Sequence, residues 1–443
     1  MSQDMTDHDH GGVAVAIELR GIEAVPASER HGRPQQLFTL WFAANLGFPA
    51  WYIGVLAVLL GLGQPDGILA VGVGTVIGAA LVAGAAALGP ETGVGSLPLS
   101  GRVFGRLGVR VPAFLNTVSC LGWFAVNTVL GTEALAQLTG LGLIGSLMAM
   151  TALQVGLAIF GYDMIHRVER IASVLLLLLF GYMAVRTLQA PVLGAAPPWH
   201  HIPMAILTVA ISASYLFSWG PYAADYSRYL PADTSRAAVF WWAFWGSWLS
   251  TCGVMVLGVL MAVRFHVANP MGELAAATGR LAPLAYLAVI VGTVTANVLN
   301  IYTGATSALT LGVRLDRARA AVVIGLLGGL LTWGGLYGFS GQYENFLLLL
   351  SYWVSPWLAV LFWDATRLQR TERDYGIGLW AFAAGVVASI PFMSQTLWTG
   401  WVAQAWGGAD VAYYVGFIVA LTICWWYGRA ETPAAEGLRA RAQ

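Results

Sequence analysis

Long apolar stretches separated by short polar connections occupy the chain from residue 38 to residue 428. A helix needs roughly 20 apolar residues to cross the hydrocarbon core of a bilayer. The pattern therefore predicts an all-α membrane protein with about twelve transmembrane helices. They lie near residues 38–62, 66–89, 113–138, 141–161, 171–189, 203–225, 238–263, 282–311, 320–339, 343–365, 376–396 and 410–428.

The two ends of the chain are polar, and this divides it into three parts. We expect residues 1–36 to be a cytoplasmic N-terminal tail, residues 37–429 a single transmembrane domain and residues 430–443 a cytoplasmic C-terminal tail. The first 36 residues contain no apolar stretch as long as the core of a secretory signal peptide. Both tails are therefore expected to be loose and to stay in the cytoplasm.

The positions of the positive charges predict the orientation of the helices. All 22 basic residues are arginines, and arginine-rich short connections stay on the cytoplasmic side of a membrane. With the N terminus inside, every arginine except Arg186, Arg264 and Arg280 falls on that side. The pattern predicts a multi-pass protein of the plasma (inner) membrane with both termini cytoplasmic.

Composition excludes several other classes of protein. Hydrophobic residues make up 58% of the chain and charged residues only 10%, so the surface is too apolar for water. The net charge of zero gives no basic patch of the kind that binds nucleic acid. The three cysteines lie inside apolar stretches without paired spacing, so neither a disulfide framework nor a bound metal is expected.

Two of the predicted helices are interrupted by glycine and proline near their middle. The first contains Asn45-Leu46-Gly47-Phe48-Pro49, and the sixth contains Trp219-Gly220-Pro221. Such paired breaks in corresponding positions of two halves indicate the binding site of a transporter with an inverted repeat. Broken helices also release backbone groups that lipid cannot satisfy, so these groups must face protein, water, a cation or a substrate. A single proline kink repaired by neighbouring helices is the alternative for each break.

Aromatic and amide side chains occur together near these breaks. Trp123 and Asn127 of the third predicted helix are four residues apart and share one face, and Trp219 lies at the second break. Two indoles and an amide suit a flat heteroaromatic ligand, which stacks on the rings and hydrogen-bonds through its edge. Because the chain has 19 tryptophans, packing against lipid and other helices is the alternative for any one of them.

The eighth predicted helix is unusually polar and contains Thr293, Thr295, Asn297 and Asn300. Such side chains either hold helices together or line a site. Threonine hydroxyls beside the carbonyls of the first break are oxygen ligands that hard cations prefer, and this favours Thr295 as a contact for the coupled ion. Glu133 in the third helix is a candidate proton carrier or, alternatively, a solvated carboxylate at the outer interface.

Four segments together resemble the nucleobase:cation symporter-1 family, which includes purine-cytosine permeases. They are VPASER followed by LWFAANLGFPAWYIGVL, the loop ending in RVFG at residues 102–105, GWFAVNTVLG, and WGPYAADYSRYLP with Asp225 to Arg228. The resemblance runs from about Glu23 to Arg429. It implies the five-plus-five inverted repeat of the leucine transporter with two additional helices, and alternating access between a bundle and a scaffold.

The resemblance also implies the residues that form the site. Trp123 and Trp219 are expected to stack on the substrate, with Asn127 and either Asn297 or Asn300 bonding its edge. The full set of expected substrate contacts is Asn45, Trp123, Asn127, Ser218, Trp219, Gly220, Asn297 and Asn300. The expected cation-coupling residues are Ala43, Leu46, Glu133, Thr293 and Thr295.

We therefore expect a symporter that imports a purine or pyrimidine base, with cytosine favoured, together with Na+ or H+. It needs no cofactor and, besides the bilayer, its partners are the small heterocyclic substrate and the coupling cation. The main alternative is a transporter of the same fold for hydantoin, allantoin, hydroxymethylpyrimidine or another vitamin precursor. An enzyme is disfavoured because no HExxH or GxSxG motif occurs, and a channel because no filter loop is seen.

Overall fold

The computed structural model describes residues 23–160, 162–192, 201–265, 269–313, 317–367 and 376–442. In these ranges the regular structure is helical, apart from one isolated antiparallel bridge between Ser394 and Thr399. The helices are α1 (Gln36–Asn45), α2 (Phe48–Leu59), α3 (Gln64–Ala86), α4 (Gly89–Thr92), α5 (Ser96–Gly108), α6 (Arg110–Thr139), α7 (Leu143–Phe160), α8 (Tyr162–Gln189), α9 (Ile202–Phe217), α10 (Ala223–Ser227), α11 (Arg236–Phe265), α12 (Pro270–Thr278), α13 (Ala282–Leu311), α14 (Arg317–Gly335), α15 (Phe339–Ala365), α16 (Ile377–Ser389), α17 (Trp401–Ala405) and α18 (Ala412–Ala442). Short 3-10 helices cover Ala27–Glu29, Gly220–Tyr222, Gly279–Leu281 and Ile390–Phe392.

Several helices are long and apolar enough to cross a bilayer. Within the described residues there are six of them, or seven when the bent pair α1 and α2 is taken as one span. Shorter apolar helices lie at the positions of the other predicted spans, at Leu143–Ile159, Ser173–Gln189, Ala321–Gly335, Ile377–Phe392 and Ala412–Gly428. The helical membrane character is thus confirmed, and the number twelve stays a prediction.

Both predicted interruptions are present. The axes of α1 and α2 differ by 56°, and extended backbone at Gly47 separates them, while Pro49 lies in the first turn of the second helix. Proline is tolerated there because the first turn of a helix leaves its N–H groups unpaired anyway. The second interruption follows α9, which ends at Phe217, and a 3-10 turn at Gly220–Tyr222 leads into α10.

The helices pack in two groups. In the first, α3 lies along α9 and α11, and α11 also packs on both halves of the first broken span, α1 and α2. In the second, α6 and α13 lie along each other and are flanked by α7 and α14. Direct packing between α2 and α6 is sparse, while α15 touches α9 and α6 and is backed by α16 and α18. The two broken spans thus belong to one group and the helix with Trp123 to the other.

Glycines allow the helices of the first group to approach closely. A Cβ atom at Gly54 would lie 1.8 Å from the carbonyl oxygen of Met255, and one at Gly258 would lie 2.1 Å from that of Trp51. At Gly74 a Cβ atom would lie 2.5 Å from the carbonyl oxygen of Val209. Small residues at interfaces let backbones pack together in membranes, where no hydrophobic force drives helices together.

The segments outside the predicted spans are more ordered than expected. Val25 is buried and its N–H donates to the carbonyl of Gly93, while Arg30 donates to the carbonyl oxygens of Val25 and Pro90. The expectation that residues 23–36 are loose is therefore wrong, because these backbone bonds hold them on the α4 connection. Residues before 23 lie outside the described part, and α18 continues through the predicted C-terminal tail to Ala442.

Candidate functional site

Trp123 is half-buried on α6, at the place where that helix meets α9 and α15. Its indole makes edge-to-face contacts with Tyr215 of α9 at 5.6 Å and with Tyr343 and Phe346 of α15 at 6.2 and 5.3 Å between ring centroids. Phe346 approaches closely because Gly122 offers no side chain there. Edge-to-face pairs of this kind are favourable arrangements for aromatic rings. The indole thus lies within an aromatic chamber built by three helices.

Trp219 belongs to a second set of rings, at the interruption after α9. Its ring makes edge-to-face contacts with Trp41 of α1 at 5.7 Å and with Tyr222 at 6.3 Å. Gly220 is buried, and a Cβ atom there would meet Leu358 of α15 at 3.3 Å. Ser218 is also buried and donates to the carbonyl oxygen of Tyr215 at 2.6 Å, which closes the end of α9.

The three predicted amides differ in burial and in the groups to which they donate. Asn127 is buried one turn from Trp123, and its Nδ2 donates to the carbonyl of Trp123 at 2.9 Å. Asn297 is completely buried and donates to the carbonyl of Phe124 and the hydroxyl of Thr128, so it holds α13 against α6. Asn300 donates to Oδ1 of Asn297 at 3.0 Å and is itself half-exposed. Of the two eighth-span amides, Asn297 is enclosed by the helix interface and Asn300 is partly exposed.

The first break contains an amide oxygen without a donor. Asn45 is completely buried and its Nδ2 donates to the carbonyl of Trp41 at 2.9 Å. Its Oδ1 is buried and has no hydrogen-bond partner among the described residues. The carbonyl of Ala43 accepts the N–H of Leu46 at 3.2 Å. A buried acceptor without a partner costs free energy, so the break suits a ligand N–H or a cation.

The two predicted threonines bond to their own helix. The hydroxyl of Thr293 donates to the carbonyl of Ile290 at 3.0 Å and faces Gly131 of α6. The hydroxyl of Thr295 lies 3.1 and 3.0 Å from the carbonyls of Val291 and Gly292. Among the described residues, no hydrogen bond joins either hydroxyl to the break between α1 and α2. Their part in cation coupling stays a prediction.

Glu133 lies apart from the aromatic chamber. It is half-buried on α6, ten residues beyond Trp123, which corresponds to about 15 Å along a helix. Its carboxyl and that of Glu273 on α12 are close enough to act electrostatically on the phenol of Tyr52. The structure therefore groups Glu133 with Tyr52 in the first half of α2 and with Glu273 of α12 rather than with the two tryptophans.

Several residues of the chamber were not among the sequence predictions. Tyr215 lies on α9 two residues before that helix ends, and its contact with Trp123 depends on how α9 packs against α6. Tyr343 and Phe346 lie on an aromatic-rich α15, where only packing distinguishes them from their neighbours. Gln154 of α7 is completely buried and accepts from Thr128, extending the network of Asn297 to a third helix.

A sequence profile for permeases of cytosine and purines, uracil, thiamine and allantoin matches residues 24–375. The chain belongs to this permease family. The nucleobase:cation symporter-1 resemblance is thereby confirmed, and the protein is a membrane permease of that family and not an enzyme.

Two relatives are similar to this chain over most of its length. YxlA of Bacillus subtilis, a predicted purine-cytosine permease, is 29% identical over 91% of this chain and 94% of its own. The purine-cytosine permease FCY2 of Saccharomyces cerevisiae is 24% identical over 90% of this chain and 83% of its own.

The fold of this family member matches that of the solved transporter Mhp1. An inward-facing structure of Mhp1 gives a TM-score of 0.76 at 18% identity and covers 94% of this chain and 95% of the other. A closed structure of the same protein, a nucleobase-cation-symport-1 family transporter with bromovinylhydantoin bound, gives 0.72 at 20% identity over 92% and 94%. These similarities establish the transporter fold of the chain.

Proposed function

We propose that the protein is a secondary active symporter that imports a nucleobase together with a cation by alternating access. The observation that carries the proposal is the half-buried indole of Trp123, with Asn127 one turn away and an interrupted helix beside it. The relatives YxlA and FCY2 are named as purine-cytosine permeases, and this supports a purine or pyrimidine substrate. Cytosine is favoured because it is flat and presents N–H donors and a carbonyl acceptor on its edge, which match the two halves of an amide.

Stacking accounts for the affinity and the amides for the specificity. Stacking of a base on an aromatic side chain contributes about 1–3 kcal/mol, and it depends little on which base is bound. The amides of Asn127 and Asn300 distinguish bases because a wrong edge leaves a buried donor or acceptor unpaired. Asn297 already uses its amide to join α13 to α6, so Asn300 is the better candidate of the eighth-span pair.

Coupling to a cation has two possible sources in this chain. For Na+, the oxygen ligands are the carbonyls of Ala43 and Leu46 at the first break with hydroxyls of α13, since hard cations prefer oxygen. The unpaired Oδ1 of Asn45 in the same break supports an oxygen-rich site. For H+, the carrier is Glu133 near the outer side. A bound cation drives transport only through a difference in its affinity for the outward-facing and inward-facing states.

The arginine distribution supports a plasma-membrane protein with both termini in the cytoplasm. In that orientation the N-terminal ends of α6 and α14 face the cytoplasm, and so does the connection between α15 and α16. The twelve-helix count and the inverted five-plus-five repeat are part of the same proposal. The two interruptions, five predicted spans apart, support it.

A transporter for another small heterocycle is the second candidate. Mhp1, which shares the fold, is described with bromovinylhydantoin bound. A hydantoin, allantoin or vitamin precursor is also a small ring with amide-like edges, and it fits the same aromatic chamber. The choice rests on the hydrogen-bonding pattern that Asn127 and Asn300 select.

The test is uptake by purified protein in proteoliposomes. Radiolabelled cytosine, adenine, hypoxanthine, uracil and allantoin are supplied one at a time, with Na+ and pH gradients imposed separately. Saturable uptake of one base under one gradient supports the proposal. Absence of uptake for all four bases under both gradients overturns it, and uptake of allantoin alone supports the second candidate.

A matched pair of tryptophan variants tests the stacking contact. Trp123→Ala should raise the KM for uptake by about 5- to 150-fold, which corresponds to the loss of one stacked base. Trp380→Ala removes an indole that is 76% exposed on α16 and should leave KM unchanged. Equal KM values for Trp123→Ala and the parent protein would eliminate the stacking model.

A further inference from the structure

A small polar cluster lies on the cytoplasmic side of the aromatic chamber. The hydroxyl of Tyr222 donates to Oδ1 of Asn116 at 3.0 Å and lies 3.1 Å from the sulfur of Cys120. Nδ2 of Asn116 in turn donates to the hydroxyl of Ser307 at 2.8 Å. We call these four residues the inner cluster. Neither the stacking contact nor the cation contact proposed above uses any of them.

The inner cluster joins the two packing groups of the fold. Tyr222 follows the second break and belongs to the group that contains both broken spans. Asn116 and Cys120 lie on α6 and Ser307 on α13, which belong to the other group. Cys120 and Asn116 are three and seven residues from Trp123, about 5 and 10 Å along the helix, toward its arginine-rich end. The bonds therefore join the two groups on the arginine-rich side of Trp123.

Tyr222 also touches Trp219, the second of the two predicted stacking residues. Its ring makes an edge-to-face contact with Trp219 at 6.3 Å, and only the 3-10 turn separates the two residues in the chain. A displacement of the Trp219 indole by a ligand is therefore passed to the phenol of Tyr222. This places one side chain between the ligand and the bonds to Asn116 and Cys120.

A corresponding pair of bonds lies on the outer side. The hydroxyl of Tyr343 on α15 donates to the carbonyl of Pro49 at 3.1 Å, directly after the first break. The hydroxyl of Tyr52 on α2 lies 2.5 Å from that of Ser340 on α15. We call these two contacts the outer ties. They join α2 to α15 as the inner cluster joins the second break to α6.

We propose that Tyr222 is a positioning residue that couples occupancy of the ligand site to closure of the cytoplasmic side. The proposal rests on the proposed transport by alternating access and adds the residue through which the inner side is held shut. In the closed state the phenol bonds to α6. When the two groups separate on that side, the bond to Asn116 breaks and Cys120 becomes open to the cytoplasm. The outer ties act in the opposite sense.

The native thiol of Cys120 provides the measurement. Cys252→Ser and Cys424→Ser leave Cys120 as the single cysteine, and it is fully buried in the closed arrangement. Its alkylation rate is measured by mass spectrometry in purified protein with N-ethylmaleimide and with a bulky fluorescein maleimide. We take the rate with fluorescein maleimide divided by the rate with N-ethylmaleimide. This ratio cancels changes in the intrinsic reactivity of the thiol and reports access of the larger reagent.

Tyr222→Phe and Asn116→Ala should each raise this ratio by about 3- to 10-fold, the shift expected from one net hydrogen bond. Asn116→Ala leaves the contact between Tyr222 and Cys120 in place, so it separates access from local effects on the thiol. Tyr343→Phe removes a matched hydroxyl on the outer side and should leave the ratio unchanged or lower it. Melting temperatures within a few degrees of the parent, on the scale of one lost hydrogen bond, exclude general unfolding.

Three results would overturn the proposal: unchanged ratios in Tyr222→Phe, a rise in Tyr222→Phe without one in Asn116→Ala, or an equal rise in Tyr343→Phe. The alkylation needs no substrate, so its outcome is independent of the uptake assay. The expected ratios without uptake of any base would remove the nucleobase assignment and keep the inner cluster. Uptake of a base with unchanged ratios would keep the nucleobase assignment and remove the role proposed for the inner cluster.

Discussion

Asp410 is a completely buried carboxylate in the connection between α17 and α18, outside both helices. It accepts the hydroxyl of Tyr352 at 2.5 Å, the N–H of Ser394 at 2.7 Å and the N–H of Ala412 at 3.0 Å. It thus fastens the connection before α17 and the start of α18 to the middle of α15. We predict that this single side chain controls much of the stability with which the segment from Ser394 to Ala412 is held on α15.

The expected magnitude follows from the partners that Asp410→Ala would leave behind. A buried donor that loses its acceptor costs about 1–3 kcal/mol, so the hydroxyl of Tyr352 and the N–H of Ser394 together imply a loss of roughly 2–6 kcal/mol. Asp410→Asn keeps the size and one acceptor oxygen, and its loss at neutral pH should be clearly smaller.

The pH dependence separates charge from shape. Burial raises the pKa of Asp410 to about 6, although its three hydrogen bonds act in the opposite direction. Because the pKa of an unfolded aspartate is about 4, the folded protein binds the extra proton between these values. Stability from this group is therefore complete below pH ~4 and is lost as the pH rises to about 6, by roughly 3 kcal/mol. Asparagine does not titrate, so Asp410→Asn removes this part of the slope.

The assay is the apparent melting temperature, followed by tryptophan fluorescence at pH 4.5, 5.5, 6.5 and 7.5 for the parent and both variants. Other carboxyl groups contribute equally to all three proteins, so the difference between parent and Asp410→Asn isolates Asp410. Parallel pH profiles for these two proteins would refute the role of burial in the titration. A melting temperature of Asp410→Ala equal to that of the parent would refute the argument from unpaired donors.

Two further predictions concern packing and the amides. Gly258→Val should lower the free energy of unfolding by about 1–3 kcal/mol, because its Cβ would lie 2.1 Å from a backbone carbonyl of α2. The melting temperature measures this loss. An unchanged melting temperature would contradict the close approach of α2 and α11. Asn300→Ala should weaken base binding by about 5- to 10-fold at an unchanged melting temperature, whereas Asn297→Ala should lower the melting temperature. Fluorescence titration measures the binding. Weakened binding without a change in melting temperature in Asn297→Ala, together with a lowered melting temperature in Asn300→Ala, would reverse these roles.

Hydrophobic length and the special chemistry of glycine and proline account for what the sequence could predict. Apolar stretches gave the position of the long spans, because lipid leaves a chain few alternatives to the helix. The segment with Gly47 and Pro49 predicted the first break, because neither residue continues a helix there without cost in free energy. Helix α12 was missed although its signal is present: Asn269 caps it by accepting the N–H of Gly272, and Pro270 begins it.

The rest depended on packing that no local pattern contains. Asn297 and Asn300 are three residues apart and lie on nearly the same side of α13, so sequence could not decide which of them α6 would bury. Phe346 reaches Trp123 only because Gly122 leaves room for its ring, a relation between helices more than 200 residues apart in the chain. Val25 was assigned to a loose tail because its partner, the carbonyl of Gly93, lies beyond the first two predicted spans.

Tyr343 connects the aromatic chamber to the outer ties. Its ring touches Trp123 and its hydroxyl holds the carbonyl of Pro49, so a displacement of this one side chain changes the surroundings of the indole and the outer tie together. Tyr222 stands in the same relation to Trp219 and Asn116 on the other side. Each tryptophan is therefore in ring contact with a tyrosine whose hydroxyl bridges two parts of the fold. Under the transport proposed above, a ligand that stacks on both indoles acts on both bridges at once, and these two pairs of residues are then the physical basis of alternating access.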